Sequence, residues 1–152
     1  MFIPLMYNAK AVIRGSSKYK DIKGVVYFSE DKKGVMITVK ITGLPRSKKG
    51  KGRFFAFHIH SGTSCTGDKE DEFKNAKTHL NLSNNEHPFH TGDLPPLIEA
   101  EGVAYMKVLV DKFKINDIIG KTVIIHDGTD DFKTQPSGNA GSKIACGEIV
   151  RI

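Results

Sequence analysis

The stretch VMITVKITGLPRSKKGKGRFFAFHIH, residues 35–60, carries the pattern that decides the fold. Its two ends, residues 35–42 and 54–60, are rich in β-branched and aromatic residues, and a connection rich in glycine and lysine separates them. Apolar residues that recur over short runs bounded by turn residues are typical of β-strands. The stretch therefore predicts two strands joined by a solvated loop.

Five more runs of this kind lie at residues 9–15, 24–28, 102–110, 122–126 and 144–150. Turn residues separate the runs, and the segment KINDIIG at residues 114–120 could form only a turn or two of helix. A length of 152 residues suffices for one domain with a real hydrophobic core. Many short strands with glycine-rich connections favour an all-β sandwich or barrel. We therefore expect a single all-β domain over residues 1–152.

The charge of the chain indicates an anionic substrate rather than a nucleic acid. The net charge is +6 and the isoelectric point is near 9.3, which is compatible with a long-range attraction for small anions. Most lysines are dispersed, and the one tight cluster, residues 47–53, lacks the aromatic residues that stack on bases. We expect no nucleic-acid partner.

The N-terminus favours a cytoplasmic protein. No apolar run is long enough to span a bilayer, so we expect no membrane partner. The short apolar patch MFIPLMYNAK is interrupted by Pro4, has no positive residues before it and no small-residue cleavage site after it. We expect a cytoplasmic location, although a processed, secreted protein would fit the same sequence.

Histidines are concentrated in two long, irregular connections, residues 61–99 and 127–143, and in the strands that lead into them. Structureless connections of this length are usually functional or disordered. If the histidines were only polar surface residues, some would be expected elsewhere in the chain. The set comprises all six histidines of the chain, His58, His60, His79, His87, His90 and His126.

Spacing arranges these histidines into two groups of possible metal ligands. His58 and His60 alternate on a strand, so both imidazoles point to one face with Cα atoms about 6.5–7 Å apart. His87, His90 and Asp93 supply three donors within seven residues, which suits tetrahedral zinc with a fourth ligand elsewhere.

One further histidine can complete both groups. A site with His58, His60 and His126 also lacks one ligand, and His79 could serve both sites, because cations on each side would lower the pKa of the second ring nitrogen. Taken singly, each of these residues also has a plainer interpretation, as a polar strand face, a strand-edge histidine or an exposed loop residue.

The two cysteines, Cys65 and Cys146, lie far apart in the sequence. In a cytosolic chain such cysteines are more often free thiols. A bridge between them would close a loop of about 80 residues and contribute up to ~4 kcal/mol to stability. The residues alone favour free thiols.

Five motifs together resemble the copper/zinc superoxide dismutases. They are F-H-I-H at residues 57–60, T-H-L-N at 78–81, H-x-x-H-x-G-D-L at 87–94, V-I-I-H-D at 123–127 and G-N-A-G-S-K-I-A-C-G at 138–147. The resemblance extends from about Ala9 to the C-terminus. It implies an eight-stranded Greek-key β-barrel, a sandwich-like fold of which this family is a standard example. The active site lies outside the barrel, under a metal-binding loop and an electrostatic loop.

The resemblance also implies a role for each site residue. The copper ligands are His58, His60, His79 and His126. The zinc ligands are His79, His87, His90 and Asp93. Cys65 and Cys146 match the two cysteines of the family's disulfide. Because that disulfide persists in the cytosol in this family, the resemblance predicts a bridge rather than free thiols. Asp130 matches an aspartate that links a copper histidine to a zinc histidine and orients both; a solvated loop charge is the alternative.

Three departures from the family pattern remove no ligand. Lys143 stands where most members have an arginine that guides the anion; lysine keeps the charge but loses the planar pair of donors, so we expect weaker anion positioning. Ala56 replaces a glycine two residues before the first copper histidine and is expected to cause a small repacking of that strand. Thr78 and Leu82 replace typical residues near the bridging histidine.

The implied activity is the disproportionation of superoxide to oxygen and hydrogen peroxide. Copper cycles between Cu(II) and Cu(I), zinc is redox-inert, and His79 and Lys143 are the catalytic side chains. Family members occur as monomers and as dimers, so a homodimer is one expected state.

Two alternatives fit the residues less well. A non-catalytic copper/zinc-binding protein, such as a copper buffer or delivery domain, usually lacks a ligand or two, whereas here all seven positions are filled. A zinc hydrolase needs an open coordination position and a carboxylate as general base, and no H-E-x-x-H motif is present.

Overall fold

The computed structural model describes residues 6–152, so the first five residues of the N-terminal apolar patch lie outside the description. The regular secondary structure of this part is almost entirely β-strand, with one short α-helix and two short 3-10 turns. The strands are β1 (Ala9–Gly15), β2 (Lys23–Asp31), β3 (Gly34–Thr42), β4 (Arg53–Phe55), β5 (Phe57–His60), β6 (Leu97–Glu99), β7 (Ala104–Val110), β8 (Thr122–His126) and β9 (Lys143–Arg151), and the helix is α1 (Ile115–Ile118).

Seven of these strands form one antiparallel sheet in the order β5-β8-β9-β1-β2-β3-β7, and β4 pairs with β6 in a second sheet. Strands β1, β2 and β3 are sequential neighbours, and β9 returns from the C-terminal end to lie beside β1. A strand that returns beside the first of three sequential strands is the defining feature of a Greek key. The all-β prediction is confirmed.

The structure has one strand more than the eight expected, because the run at residues 54–60 is divided at Ala56. The Ala56 N–H donates to the Gly128 carbonyl at 2.8 Å, and its carbonyl accepts from the His126 N–H at 2.9 Å. These bonds turn β4 toward β6 while β5 pairs with β8. The three-residue strand β6 lies within residues 61–99, which the sequence predicted to be irregular.

Alternating burial along the strands explains how the core and the histidines separate. On β3 the side chains of Val35, Ile37, Val39 and Ile41 point inward and are buried. Strands β5 and β8 are buried on both faces. Their apolar residues join the core, and the opposite face of β5 presents His58 and His60 beneath the two long loops.

Cys65 and Cys146 are joined in a disulfide, as the family resemblance predicted and contrary to the free thiols that the residues alone favoured. The bridge links the first long loop to β9, and Phe73, Ala76 and Ile124 pack around it. The same loop lies close to the end of β5 at Gly62, where a Cβ atom would be 2.1 Å from the Asn75 carbonyl oxygen. The loop is therefore attached to the sheet covalently and by close packing.

Replacement of both cysteines, Cys65→Ser with Cys146→Ser, is expected to lower the free energy of unfolding of the metal-free protein by about 2 to 4 kcal/mol. The reason is that the bridge joins residues 81 positions apart and so restricts the unfolded chain. Urea unfolding measures the change. Reductant should shift the unsubstituted protein equally and leave the double variant unchanged; a loss below about 1 kcal/mol would contradict this account.

Candidate metal centre

Two groups of buried donor side chains lie side by side under the long loops. In each group the ligating atoms lie within 4.8 Å of one another. The first group contains four imidazoles, and the second contains three imidazoles and one carboxylate. The members are His58, His60, His79 and His126 in the first group, and His79, His87, His90 and Asp93 in the second.

Strands β5 and β8 position the first group, and backbone acceptors orient its rings. His60 Nδ1 donates to the Lys77 carbonyl at 2.9 Å, and His126 Nδ1 donates to the Gly141 carbonyl at 3.1 Å. Because these nitrogens carry the proton, the lone pair of each ring lies on Nε2. The two Nε2 atoms face each other at 3.2 Å. Two lone pairs at this distance favour a cation between them.

The second group is built from the first long loop. His90 and Asp93 occupy one turn, in which the His90 N–H donates to Asp93 Oδ2 at 2.9 Å. His87 Nδ1 lies 3.0 Å and His90 Nδ1 lies 3.2 Å from the same oxygen. Four donors about 2.0–2.1 Å from a tetrahedral zinc ion would be about 3.3 Å apart. The spacing therefore fits a tetrahedral metal ion.

His79 belongs to both groups through opposite ring atoms. Its Nδ1 lies 2.7 Å from Asp93 Oδ1 and 3.3 Å from His90 Nδ1. Its Nε2 is buried and has no hydrogen-bond partner among the described residues. The ring lies 4.0 Å from the His58 ring, centroid to centroid. Each side of this imidazole thus faces a different donor group.

Buried nitrogens without partners test whether metal ions fit. Besides the hydroxyl of Thr38, three imidazole nitrogens are buried without a hydrogen bond among residues 6–152: His58 Nδ1, His79 Nε2 and His87 Nδ1. Such atoms are normally satisfied, because an unpaired buried polar atom is destabilising. All three belong to the two donor groups. The donor sets, four imidazoles in one case and three imidazoles with a carboxylate in the other, are those that copper and zinc accept.

A buried carboxylate, Asp130, connects the two groups. Its Oδ2 accepts from His58 Nε2 at 2.7 Å, and its Oδ1 accepts from His87 Nε2 at 2.8 Å. Burial alone would raise the pKa of Asp130, but the bonds from His58 and His87 lower it below the usual range. The carboxylate therefore stays charged and directs the opposite nitrogen of both rings toward the metal positions.

Burial keeps His60 and His126 of the first group neutral at physiological pH. It lowers the pKa of His126 to about 3, with a further contribution from His58. Burial also holds the pKa of His60 well below its usual value, helped by the neighbouring His126. A neutral imidazole has the free lone pair that metal coordination requires.

The first group lies at the wall of a cavity of about 440 Å³ that Lys143 also lines, together with His60, His79 and His126. Lys143, expected to face the anion, is held by other partners. Its Nζ lies 2.5 Å from Asp71 Oδ2 and 3.4 Å from the Phe73 carbonyl oxygen. The positive charge predicted for the cavity is therefore paired with an acidic residue.

Three other contacts were not predicted from the sequence. Gln135 pairs with the backbone of His87, accepting its N–H at 2.9 Å and donating to its carbonyl at 2.7 Å. Lys112 Nζ donates to the Asp93 carbonyl at 2.7 Å. A Cβ at Gly138 would lie 2.1 Å from Asp130 Oδ1. Only the glycine at 138, with its φ of 68°, carried a sequence signal, through its motif.

An all-β protein whose two adjacent donor groups share one imidazole has the donors to hold two metal ions side by side. A family model described as copper/zinc superoxide dismutase matches residues 22–149. The chain belongs to this family.

Individual relatives agree with this assignment. Cu-Zn superoxide dismutase 2 of Aquifex aeolicus is 35% identical over 145 residues, which cover 85% of this chain and 80% of that protein. Cu-Zn superoxide dismutase A of Xenopus laevis is 32% identical over 160 residues, which cover 95% of this chain and 97% of that protein.

A solved structure shares the fold. A SOD-like protein from Bacillus subtilis superposes with a TM-score of 0.77 at 27% identity, covering 94% of this chain and 99% of that one. Family membership, the two histidine groups and the disulfide support copper and zinc as the cofactors.

The substitution Asp130→Asn is expected to weaken metal binding at both groups by about 10- to 100-fold. An amide has one acceptor oxygen, so it cannot accept from His58 and His87 together. Chelator competition at neutral pH measures both affinities. Asp131→Asn is the control, because this neighbouring carboxylate is exposed and bonds within its own turn, to Thr134. Equal affinities in the two variants would refute the orienting role of Asp130.

Proposed function

We propose that the protein disproportionates superoxide at the four-imidazole group. The observation that carries the proposal is the sharing of His79, because seven donor residues form two complete groups only when one imidazole belongs to both. A non-catalytic buffer or delivery domain usually lacks a ligand or two, whereas both groups are complete here. Superoxide is the substrate that the family name gives.

The four-imidazole group, His58, His60, His79 and His126, is the proposed copper site, and the group that contains Asp93 is the proposed zinc site. Three features support this division. The carboxylate in the second group suits zinc, three residues of the first group line the cavity against two of the second, and the second group supplies four protein donors. When bound, copper supplies one-electron redox chemistry, and zinc supplies charge without redox chemistry.

The protein's own residues hold the site and handle the proton. His79 Nε2 is a buried ring nitrogen on the copper side without a partner among the described residues, and His79 is the ring that belongs to both groups, so this atom is the one suited to accept a proton and return it to the reduced oxygen species. His79 Nδ1 stays directed at Asp93 throughout. Asp130 keeps the His58 and His87 rings in one orientation, so the site does not reorganise between turnovers.

Lysine side chains at the cavity supply the field that attracts the anion. Electrostatic steering of the substrate is a general property of this family. What is particular to this chain is that Lys143 is paired with Asp71. Pairing with an acidic group reduces the field that a cation projects into the cavity.

The copper- and zinc-loaded protein is expected to remove superoxide, and His60→Ala is expected to reduce that activity to background. His60 belongs only to the four-imidazole group. The zinc content of the variant should therefore remain normal, which serves as the control for folding. Metal analysis and a superoxide assay are made on the same samples. A wild-type protein that binds both metals without activity would favour the non-catalytic alternative.

The substitution Lys143→Arg is expected to raise kcat/KM modestly, by about 2-fold, at low ionic strength. A guanidinium can bond Asp71 through one nitrogen and direct a second toward the cavity, which an ammonium does less well. The assay is repeated over a range of salt, because screening should remove the gain. Lys107→Arg, at an exposed position on β7, is the control. An unchanged rate and salt dependence would contradict a guiding role for Lys143.

We also infer that the chain is one domain, a cytoplasmic protein, and able to form a homodimer. One large cluster of buried apolar side chains drawn from both sheets supports the single domain.

The homodimer is supported by an exposed apolar pair. Phe54 and Ile98, opposite each other on β4 and β6, are 45% and 54% exposed and would be buried by a second copy. No described helix is long and apolar enough to cross a membrane.

A further inference from the structure

Lys77 adopts a backbone conformation that lysine rarely takes. Its φ is 61° and its ψ is −138°, within the range of positive φ that favours glycine. It lies two residues before His79, at the end of the short 3-10 turn Lys74–Ala76. A strained residue beside an active site persists when the surrounding structure requires its position.

The backbone hydrogen bonds of this segment explain the positive φ at position 77, but they do not explain why the residue there is a lysine. The Lys77 N–H donates to the Lys74 carbonyl at 3.1 Å, and the Lys77 carbonyl accepts from His60 Nδ1 at 2.9 Å. On either side, Ala76 accepts from Gly62 and Thr78 accepts from Ser61. Glycine at position 77 would make the same backbone bonds without strain. The side chain of Lys77 is what remains to be explained.

Lys77 lines the cavity at the four-imidazole group. Lys77 is exposed, and it borders the same cavity of about 440 Å³ as His60, His79 and His126. Among the residues that the structure describes, no carboxylate lines this cavity and none pairs with Lys77. Its ammonium group is therefore free to meet an anion that approaches the site.

The other lysine at the cavity is differently placed. Lys143 is held at 2.5 Å by Asp71 and contacts the Phe73 carbonyl. Of the two lysines that line the cavity, Lys77 is thus the one without an acidic partner among the described residues. A charge at this entrance acts on small anions over about one Debye length, roughly 8–10 Å.

We propose that Lys77 is the principal anion-docking side chain of the cavity, and that the chain tolerates a glycine-like conformation in order to place a positive charge there. The proposal rests on the proposed superoxide dismutase activity and assigns the docking of the substrate mainly to Lys77 rather than to Lys143. It extends to small monovalent anions in general, because a lysine ammonium recognises charge rather than shape.

Three substitutions at this position separate charge from backbone strain. Lys77→Gly removes both, Lys77→Gln removes the charge and keeps the strain, and Lys77→Arg keeps both. Lys40→Gln removes one charge at an exposed position on β3, far from the cavity in the strand order, and is the matched control. The measurements are kcat/KM against ionic strength, the affinity of the copper-loaded protein for azide, and the Tm of the metal-free protein.

Lys77→Gly and Lys77→Gln are expected to lower kcat/KM by about 3-fold at low salt, to weaken azide binding by a similar factor and to flatten the salt dependence. Lys77→Arg, which keeps the charge, should retain the salt dependence of the wild type, and Lys40→Gln should change none of these. The Tm of Lys77→Gly should equal or exceed that of the wild type, because glycine relieves the strain. A fall in its Tm would overturn the argument from strain.

The azide measurement decides the proposal independently of catalysis. If the loaded wild-type protein binds azide but does not remove superoxide, the proposed function fails, while the azide affinities of the variants still test Lys77. Unchanged azide affinity in both Lys77→Gly and Lys77→Gln would overturn the docking role, whatever their activity.

Discussion

The buried carboxylate of Asp130 is the constraint on which the rest of the site depends. It lies in the second long loop, yet it accepts from His58 on β5 and from His87 in the first long loop. Three segments distant in sequence thus meet at one charged group. Because the carboxylate holds the distal nitrogen of each ring, the opposite nitrogens stay aimed at two separate metal positions. Gly138 lies against this junction, where any side chain would collide with Asp130.

Irregular loops allow donor side chains from distant segments to point at one position. A strand can present alternate side chains on one face, as β5 does with His58 and His60, but it cannot direct four donors at one point from different sides. The loops supply the remaining directions, and they need attachment to remain ordered. The Cys65–Cys146 bridge, the paired bonds between Gln135 and His87 and the bond from Arg53 to the Asp127 carbonyl provide it.

The positive charge at the cavity lies on a different residue from the one that the family pattern predicts. A lysine occupies the position where most members have arginine, and it is bonded to an acidic neighbour, Asp71. The free positive charge instead lies on Lys77, in a segment whose backbone also orients His60. Charge for the substrate and geometry for a metal ligand are therefore carried by the same residue, through its side chain and its carbonyl.

The sequence by itself determined the strand pattern and the location of the chemistry. Runs 9–15 and 122–126 coincide with β1 and β8, and the six histidines indicated the two loops, because alternation and composition are local properties of a chain. The run 54–60 was predicted as one strand but divides at Ala56, through bonds to residues about 70 positions away. Strand β6 has only three residues, too few for its pattern to be distinguished from a loop.

Only the tertiary structure decided the pairings across the site. Asp71 and Lys143 are 72 positions apart, and Gln135 and His87 are 48 apart. Which side chains meet at such separations depends on how the sheet curls and how the loops fold over it. No spacing rule along a single chain contains that information, so the division of charge between Lys143 and Lys77 could be read only from the folded molecule.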